Sequence, residues 1–281
     1  MKTLFALIAV FTISLGTTQA APLKILLVAG GCCHDYATQT ALLKIGIEER
    51  INAKVTVEFN PSKSTETRFK VYESDDWAEP FDVILHDECS AKVTDTVYVK
   101  RILDAHKDGT PAVNLHCAMH SYRWGNYREA VKAGAENAGW FEMIGLQSTG
   151  HGPQSPIDVT YVNEGHPITK GLKNWTTINE ELYNVVQMFD GAEILAKGSQ
   201  IQAPRKKDLK ANPNAKPKKS EAVVAWTNQY GPQKTKIFST SLGHNNETVG
   251  DGRYLDLVVR GLLWTTGNLN EDGTPAKAYA K

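Results

Sequence analysis

Histidines are the most informative residues of the sequence, because five of the eight follow a predicted strand or lie in a polar loop. These five are His34, His116, His120, His151 and His244. Imidazole groups that converge can act as general acids and bases or bind a divalent metal. A single histidine at a strand end is more often structural. The repeated placement nevertheless predicts a catalytic site built mainly from histidine side chains.

Two acidic residues in the segment NEELY could assist the histidines. Glu180 and Glu181 lie in a polar stretch between apolar runs, close to Tyr183. A carboxylate there could orient a histidine, act as a base or bind a sugar hydroxyl, and a solvated helix start is an equally open interpretation. Asp35 and Arg123 are weaker candidates by the same argument.

The four cysteines lie at or near the ends of apolar runs, and we interpret most of them as small buried residues. A bond between the adjacent Cys32 and Cys33 would be strained. Cys117 follows a predicted strand and precedes a predicted helix, which is where a nucleophile would lie in a hydrolase. Its neighbours lack the glycines that such a turn favours, so a Cys–His hydrolase is a disfavoured alternative.

Short apolar runs that alternate with helical patterns predict an α/β fold with a parallel sheet in the first half. The predicted strands are 23–29, 54–59, 81–86 and 111–115, and the predicted helices are 38–51 and 94–106. The second half is predicted to contain strands 157–162, 192–197, 221–226 and 235–239, and a closing helix over 252–264. Ligands bind beyond the carboxyl ends of parallel strands, so the histidines that follow strands are expected to converge there.

The sequence predicts one body flanked by two shorter segments. Residues 1–20 are typical of a secretory signal peptide, with a positive start, a short apolar run and small residues before the expected cleavage near Ala20. The body spans 21–268, and residues 269–281 are predicted to form a flexible tail. We therefore expect an exported protein, either periplasmic or secreted.

Charge narrows the range of expected partners. The chain has 31 Lys and Arg residues and 31 Asp and Glu residues, for a formal net charge of zero. Phosphate binding needs an excess of positive charge, so nucleic acid is not an expected partner. Segment 204–219 holds seven Lys and Arg residues against one acid and is predicted to be a solvated basic loop. The rest of the chain is then acidic, which suits a neutral ligand or a metal better than a polyanion.

Several motifs are missing from the sequence. It has no G-x-G-x-x-G after the first strand and no G-x-x-x-x-G-K-[ST], so no nucleotide cofactor is expected. After the predicted signal peptide, no run is apolar for long enough to cross a membrane, and the membrane is not an expected partner.

Taken in order, several stretches resemble the trehalose-utilisation family of ThuA-like proteins. They are ILLVAGGCCHDY, FDVILHD, VNLHCAMHSYR, the loop around His151, EGHPITKGL, NEELY, AWTNQYG and FSTSLGHNN. The resemblance implies a flavodoxin-like three-layer α/β sandwich, related to class I glutamine amidotransferases, with a mostly parallel central sheet. It does not imply amidotransferase chemistry. The pocket residues that it implies are His34, His116, His120, His151, Glu181 and His244, joined by Arg123 and Tyr183.

The resemblance also connects the chain with disaccharide catabolism, in which a partner oxidoreductase makes 3-keto sugars. We expect a carbohydrate-active enzyme whose ligand is a small carbohydrate, either a glycoside or a 3-keto sugar. A 3-keto group acidifies the neighbouring C–H, so a base could remove that proton and start elimination of the glycosidic oxygen. The expected base is His116 or Glu181. A zinc-like divalent metal, held by His151 or His244, could polarise the keto oxygen.

A sugar-binding module without turnover is the main alternative from a different class. Tryptophan rings would then supply faces on which a sugar stacks, although packing in the core is the more common role of such residues. The candidates are Trp124, Trp140, Trp175 and Trp226.

Overall fold

The computed structural model describes residues 20–204 and 206–281. Apart from Ala20, the predicted signal peptide lies outside the described residues. Among the residues that are described, no helix has the length and apolar character needed to cross a membrane.

The first half of the chain forms the predicted alternation of strands and helices. Its elements are β1 (Leu23–Gly31), α1 (Tyr36–Arg50), β2 (Ala53–Asn60), β3 (Val83–Cys89), α2 (Thr96–Lys107), β4 (Ala112–Leu115), α3 (Gly139–Ile144) and β5 (Leu146–Gln147). Three 3₁₀ helices, Lys70–Glu73, His116–His120 and Glu136–Ala138, connect them.

The second half is richer in strands, as the sequence predicts. Its elements are β6 (Ser155–Tyr161), β7 (Trp175–Glu180), β8 (Gln187–Met188), β9 (Glu193–Gln202), α4 (Lys206–Ala211), β10 (Lys218–Tyr230), β11 (Thr235–Thr240), α5 (Asn246–Val249) and α6 (Gly252–Thr265). Strand β7 and the two short strands β5 and β8 are not among the predicted strands.

Nine strands of the described chain form one sheet, in the order β2-β1-β3-β4-β11-β10-β9-β6-β7. The first five in that order are parallel to one another. From β11 onward each neighbouring pair is antiparallel, so only β10 and β6 run against the others. This mostly parallel sheet confirms the fold class expected from the sequence.

Two apolar cores cover the two faces of the sheet, because successive side chains of a strand point to opposite sides. Ile25 and Leu27 of β1 lie in the core that contains apolar residues of α1 and α6. Leu26 and Val28 lie in the other core, against residues of α2 and α3. The chain is therefore a three-layer sandwich, and its carboxyl edge is left open for a site.

The segments at the periphery differ from their sequence expectation in one respect. The basic segment 204–219 follows β9, contains the short helix α4 and includes the first two residues of β10. The tail, predicted to be flexible, folds back onto the body. The backbone of Asn52 donates a hydrogen bond to Tyr279, and Ile51 pairs with Ala280. Tyr279 also packs against the core on the α1 face. The tail therefore contacts the body, which its composition alone does not show.

On the face of the sheet that α2 and α3 cover, a buried polar network joins α2 to β3. His106, which its helical position suggests is a surface residue, is fully buried. Its Nδ1 donates to the carbonyl of Thr110 at 2.8 Å, and its Nε2 lies 3.0 Å from Nε2 of His86. The surface assignment was wrong because the side chain lies on the inward face of α2, where His86 supplies a polar partner.

This network predicts an acid-sensitive contribution to stability. Burial, followed by the charge of His86, lowers the pKa of His106 from 6.5 to about 3. Between these values the unfolded chain takes up a proton that the native protein does not, so stability falls as the pH falls, by up to about 1.4 kcal/mol per pH unit.

A His106→Gln variant lacks this titration. We expect it to be less stable than the wild type at neutral pH, and this difference in the free energy of unfolding should shrink as the pH falls from 6.5 towards 4. Urea unfolding of both proteins across that range measures it. A difference that is constant with pH would contradict the assignment.

Candidate active site

Three histidines and one glutamate meet at the carboxyl edge of the sheet. His34 follows β1, His116 follows β4, His244 follows β11 and Glu181 follows β7. The ring centroids of His34 lie 4.8 Å from His116 and 4.7 Å from His244, and those of His116 and His244 are 5.4 Å apart. The convergence follows from the sheet, in which β1, β3, β4 and β11 are consecutive neighbours.

Glu181 is the centre of this cluster. Its Oε2 lies 3.2 Å from Nδ1 of His244 and 3.6 Å from Nε2 of His116, and its Oε1 lies 3.4 Å from Nδ1 of His151. Burial alone would raise the pKa of the Glu181 carboxyl. Interactions with His116 and His244 outweigh burial and hold that pKa well below its usual range. The site therefore contains a permanent carboxylate among imidazoles.

Backbone carbonyls fix the orientation of two of the histidine rings. Nδ1 of His116 lies 2.7 Å from the carbonyl oxygen of Ser241, and Nδ1 of His34 lies 3.4 Å from that of His244. A carbonyl oxygen only accepts, so in both rings Nδ1 carries the hydrogen and Nε2 carries the lone pair when the ring is neutral. Burial, followed by the charges of His116 and His244, lowers the pKa of His34 to about 3, which keeps that ring neutral.

Glu180 fixes the loop that carries His244 through hydrogen bonds with the loop backbone. This buried carboxylate, at the end of β7, accepts backbone hydrogen bonds from His244 at 3.0 Å and from Asn245 at 3.1 Å. Burial opposes a charge on His244, but the contact with Glu181 outweighs it and raises the pKa of His244. The adjacent carboxylates thus have different tasks, since Glu180 binds backbone and Glu181 binds imidazoles. The open choice between a functional carboxylate and a solvated helix start is resolved against the helix start, because Glu180 ends a strand.

His151 lies in a loop between β5 and β6 and contacts Oε1 of Glu181, whereas His116 and His244 contact Oε2. Its loop pairs with the segment after β7, through a bridge between His151 and Tyr183 and through the amide of Asn184, whose Oδ1 accepts from the backbone of Gly150. Nδ1 of His151 lies 2.9 Å from the carbonyl of Gly152. Because Nδ1 faces two acceptors, Nε2 is the nitrogen left to face a ligand.

Tyr183 connects the remaining histidine to the cluster. Its ring stacks on His120 with centroids 4.3 Å apart, and its hydroxyl lies 3.2 Å from Nε2 of His116. His120 is buried, and this burial is the main cause that lowers its pKa well below the usual value. Its Nε2 lies 3.0 Å from Oγ of Ser148. His120 therefore supports Tyr183 and does not itself touch Glu181 in the contacts of the described residues.

Asp35 and Arg123, predicted to bind substrate, lie at the margins of the cluster. Asp35 caps α1 by accepting from the backbone of Thr38, and it accepts from Nδ2 of Asn246 at 2.9 Å. The guanidinium of Arg123 lies 4.7 Å from the ring centre of Tyr127. Two of its buried nitrogens, Nε and Nη1, have no hydrogen-bond partner among the described residues. Both residues remain candidates for ligand binding, although neither contacts Glu181.

Gln154 is a site residue that the sequence does not single out. Its Nε2 lies 2.7 Å from Nε2 of His244 and 3.5 Å from Oε1 of Glu181. An amide nitrogen donates, so Nε2 of His244 accepts and its Nδ1 faces the carboxylate. Glutamine has no acid–base chemistry of its own, and only its position in the His151 loop could have indicated this role.

Two clefts open on either side of the cluster. One has a volume of about 650 Å³ and is lined by His34, Asp35 and residues 59–63. The other, of about 570 Å³, is lined by His151, Gln202 and residues of the basic loop such as Lys216. Both volumes are within the range of small-molecule sites. The four tryptophans considered for sugar stacking line neither of these clefts in the described chain. Trp140 and Trp226 are core residues.

Cys89 and Cys117 are buried, as the sequence suggests, whereas Cys32 is half-buried and Cys33 is exposed. All four are paired in disulfides, which the interpretation as small buried residues does not include. Cys32 is bonded to Cys33, and Cys89 is bonded to Cys117. The adjacent pair lies in the turn after β1, where Cys33 has a positive φ of 87°. Cys117 consequently has no free thiol in this structure, which argues against its role as the nucleophile of a hydrolase.

Fold and site together define an α/β sandwich with a histidine–carboxylate pocket at the carboxyl edge of its parallel strands. The chain belongs to the ThuA family, because the family model described as trehalose utilisation matches residues 24–265. The family is implicated in trehalose utilisation, and so is this chain as one of its members. No curated protein matches the sequence.

Solved structures support the same fold at low sequence identity. A ThuA-like protein from Parabacteroides merdae is 17% identical, with a TM-score of 0.59, and the match covers 92% of this chain and 97% of that one. A ThuA-like protein from Bacteroides uniformis is 16% identical, with a TM-score of 0.59 and coverages of 89% and 94%. A cytoplasmic protein from Salmonella typhimurium is 14% identical, with a TM-score of 0.53 and coverages of 86% and 99%.

Proposed function

We propose that the protein is an acid–base enzyme that cleaves a keto-disaccharide at its glycosidic bond. The observation that carries this proposal is the buried carboxylate of Glu181, which lies within 3.2–3.6 Å of ring nitrogens of three histidines. A permanent carboxylate beside an imidazole orients the ring and stabilises the imidazolium that forms when the ring accepts a proton.

The two clefts support a ligand with two sugar rings. His34 lines one cleft and His151 the other, and both histidines belong to the cluster around Glu181. A disaccharide with one ring in each cleft would place its glycosidic bond beside the carboxylate. The formal net charge of the chain is zero, and the chain outside the basic segment 204–219 is acidic. Both charges agree with an uncharged ligand.

His151 is the proposed base. Its side chain is 40% exposed, in contrast to the buried His116, and its Nδ1 is held by Gly152 and Glu181. Its free Nε2 would take the proton from the carbon between the ketone and the anomeric carbon. The electron pair forms a double bond to the anomeric carbon as the glycosidic oxygen leaves, and the imidazolium protonates that oxygen. The elimination breaks the glycosidic bond, and addition of water across the double bond, with its oxygen on the anomeric carbon, then gives the free keto sugar.

A divalent metal fits the other three histidines. His34, His116 and His244 each offer a ring nitrogen, and these nitrogens lie within 4.8 Å of one another. An ion bound to His244 would replace the contact of that ring with Gln154 or with Glu181. The orientation of His34 and His116 by backbone carbonyls is the usual second contact of a metal-bound histidine. A zinc-like ion bound there would supply a Lewis acid for the keto oxygen. This division of roles assigns His151 to the base and not to the metal, unlike the sequence expectation.

The proposal also covers the source of the substrate and the compartment of the reaction. A sugar oxidoreductase would have to supply the keto group, since the pocket contains no motif for a nucleotide cofactor. The N-terminal segment supports export, with the reaction then taking place outside the cytoplasm.

The test is sugar release from 3-keto-disaccharides and from the unoxidised disaccharides, with metal content measured on the same sample. We expect release only from the keto substrates, about one zinc-like ion per chain, and a large loss after chelation that zinc restores. A His151→Asn variant should lose about 10²-fold in kcat while it keeps its metal.

His166→Asn is the matched control, because His166 lies in a turn where its Nδ1 accepts from the backbone of Ile168. It should keep full activity. If metal-loaded wild type releases no sugar from either substrate class, the enzyme proposal is wrong. Sugar affinity in a calorimetric titration without turnover would instead support a binding module.

A further inference from the structure

The four cysteines bring their sulfur atoms together from three strand ends. Cys32 and Cys33 follow β1, Cys89 ends β3 and Cys117 lies in the 3₁₀ helix after β4. Sγ of Cys32 in one disulfide lies 3.5 Å from Sγ of Cys89 in the other. The sulfurs of Cys32, Cys33 and Cys89 all lie within 4.8 Å of one another.

Exposure to solvent differs sharply between the two disulfides. Cys33 is exposed and lines the cleft of His34, and Cys32 is half-buried. Cys89 and Cys117 are only 2% and 4% exposed. A soluble thiol can therefore reach the outer disulfide, Cys32–Cys33. The inner disulfide, Cys89–Cys117, is shielded from solvent and lies next to the sulfur of Cys32.

We propose that the outer disulfide is a thiol–disulfide exchange site that relays reducing equivalents from an external dithiol to the buried disulfide. The dithiol first reduces Cys32–Cys33 to two thiols and is itself oxidised to a disulfide. The Cys32 thiolate then attacks Sγ of Cys89, which forms a Cys32–Cys89 bond and releases Cys117 as a thiolate that takes up a proton.

The Cys33 thiolate completes the sequence. It attacks Sγ of Cys32, so that Cys32–Cys33 forms again and Cys89 leaves as a thiol. The net reaction oxidises one dithiol and reduces the buried disulfide, with the outer disulfide unchanged. Exchange requires an attacking sulfur close to the disulfide, and the 3.5 Å separation between Cys32 and Cys89 provides it.

The relay ends beside the candidate active site. Cys117 directly follows His116, whose backbone has a φ of 37° in the left-handed region. A non-glycine residue keeps such a conformation only where its surroundings enforce it. The Cys89–Cys117 bond ties this segment to β3, so its reduction releases a restraint on His116. The exchange chemistry itself does not depend on the proposed sugar reaction.

The test follows each sulfur in the folded full chain under native conditions. Wild-type protein is treated with dithiothreitol, quenched by alkylation at intervals, and mapped by mass spectrometry of its peptides. We expect the Cys32–Cys33 bond to open first, a Cys32–Cys89 peptide to appear transiently, and Cys117 to be alkylated later.

Two variants separate the relay from direct reduction. Cys33→Ser removes the residue that resolves the mixed bond, so Cys32–Cys89 should accumulate with Cys117 free. In the double variant Cys32→Ser, Cys33→Ser, the buried bond should be reduced about tenfold more slowly than in the wild type, or more slowly still. Its free energy of unfolding is measured in parallel, so that slower reduction is compared between equally folded proteins.

Two results would overturn the relay. One is reduction of Cys89–Cys117 in the double variant at the wild-type rate. The other is a Cys33→Ser protein in which Cys32 stays a free thiol and the buried disulfide stays intact. If the variants do not fold, the wild-type time course decides, because simultaneous alkylation of all four sulfurs without a Cys32–Cys89 peptide also contradicts it.

Discussion

The Glu181→Gln variant is expected to lose about 10³–10⁴-fold in kcat on the cleaved keto-disaccharide, the largest effect of any single site substitution. The glutamine keeps the size of the side chain but removes the charge that three histidines share. His151 then loses the carboxylate that lies 3.4 Å from its Nδ1, and His244 loses the contact that raises its pKa. Parallel measurement of kcat and KM shows whether the loss lies in chemistry or in binding.

We expect kcat to fall and KM to stay almost unchanged, because Glu181 lines neither cleft and acts through the imidazoles that it contacts. The matched control is Glu79→Gln, an exposed glutamate remote from the cluster, which should leave both constants unchanged. The free energy of unfolding of each variant separates catalysis from stability. Full activity in folded Glu181→Gln would show that the carboxylate is structural, and the acid–base proposal would then be wrong.

The position of the candidate site could be predicted from the sequence to a large extent. Parallel strands bring their carboxyl ends to one edge, so residues that directly follow such strands must lie close together. His34, His116 and His244 follow β1, β4 and β11, and their rings are 4.7–5.4 Å apart. This part of the prediction needed strand assignment and one topological rule, whereas the order that makes β1, β3, β4 and β11 neighbours is known only from the structure.

Roles within the site could not be predicted in the same way. His120 and His151 both flank Tyr183, but one is buried against Ser148 and the other faces a cleft. That difference depends on how the His151 loop pairs with the segment after β7, and β7 itself was missed. This strand lies at an edge of the sheet, where its buried positions include the polar Thr177 and Glu180 and its exposed positions include the apolar Ile178. The sequence of β7 therefore lacks the alternation of apolar and polar residues that indicates a strand.

The pairing of the cysteines and the burial of His106 could not be predicted from the sequence either. Pairing of Cys89 with Cys117 depends on adjacent strands β3 and β4, and strand order is not written in the local sequence. His106 lies on a helix face whose partner is decided by the polar residue His86 on β3. In both cases the missing information is which distant residue lies opposite, not the character of the residue itself.

The second large effect is expected in the free energy of unfolding when Gly31 is replaced. This glycine begins the turn that positions both the outer disulfide and His34. Gly31 has a φ of 97°, and a Cβ added to it would lie 2.3 Å from the carbonyl oxygen of Cys89. Gly31→Ala therefore adds conformational strain to a clash with backbone, which cannot move without disturbing the β1–β3 pairing. We expect a loss of about 3–5 kcal/mol in the free energy of unfolding, measured in urea.

Gly109→Ala separates the two causes, because Gly109 has a similar φ of 112° and no atom within 4 Å of the added Cβ. This control should lose only about 1–2 kcal/mol, from strain alone. The difference between the variants measures the clash with Cys89. Equal losses would mean that β3 yields easily at that point. The close approach of β1 and β3, which brings the two disulfides together, would then not be a rigid property of the fold.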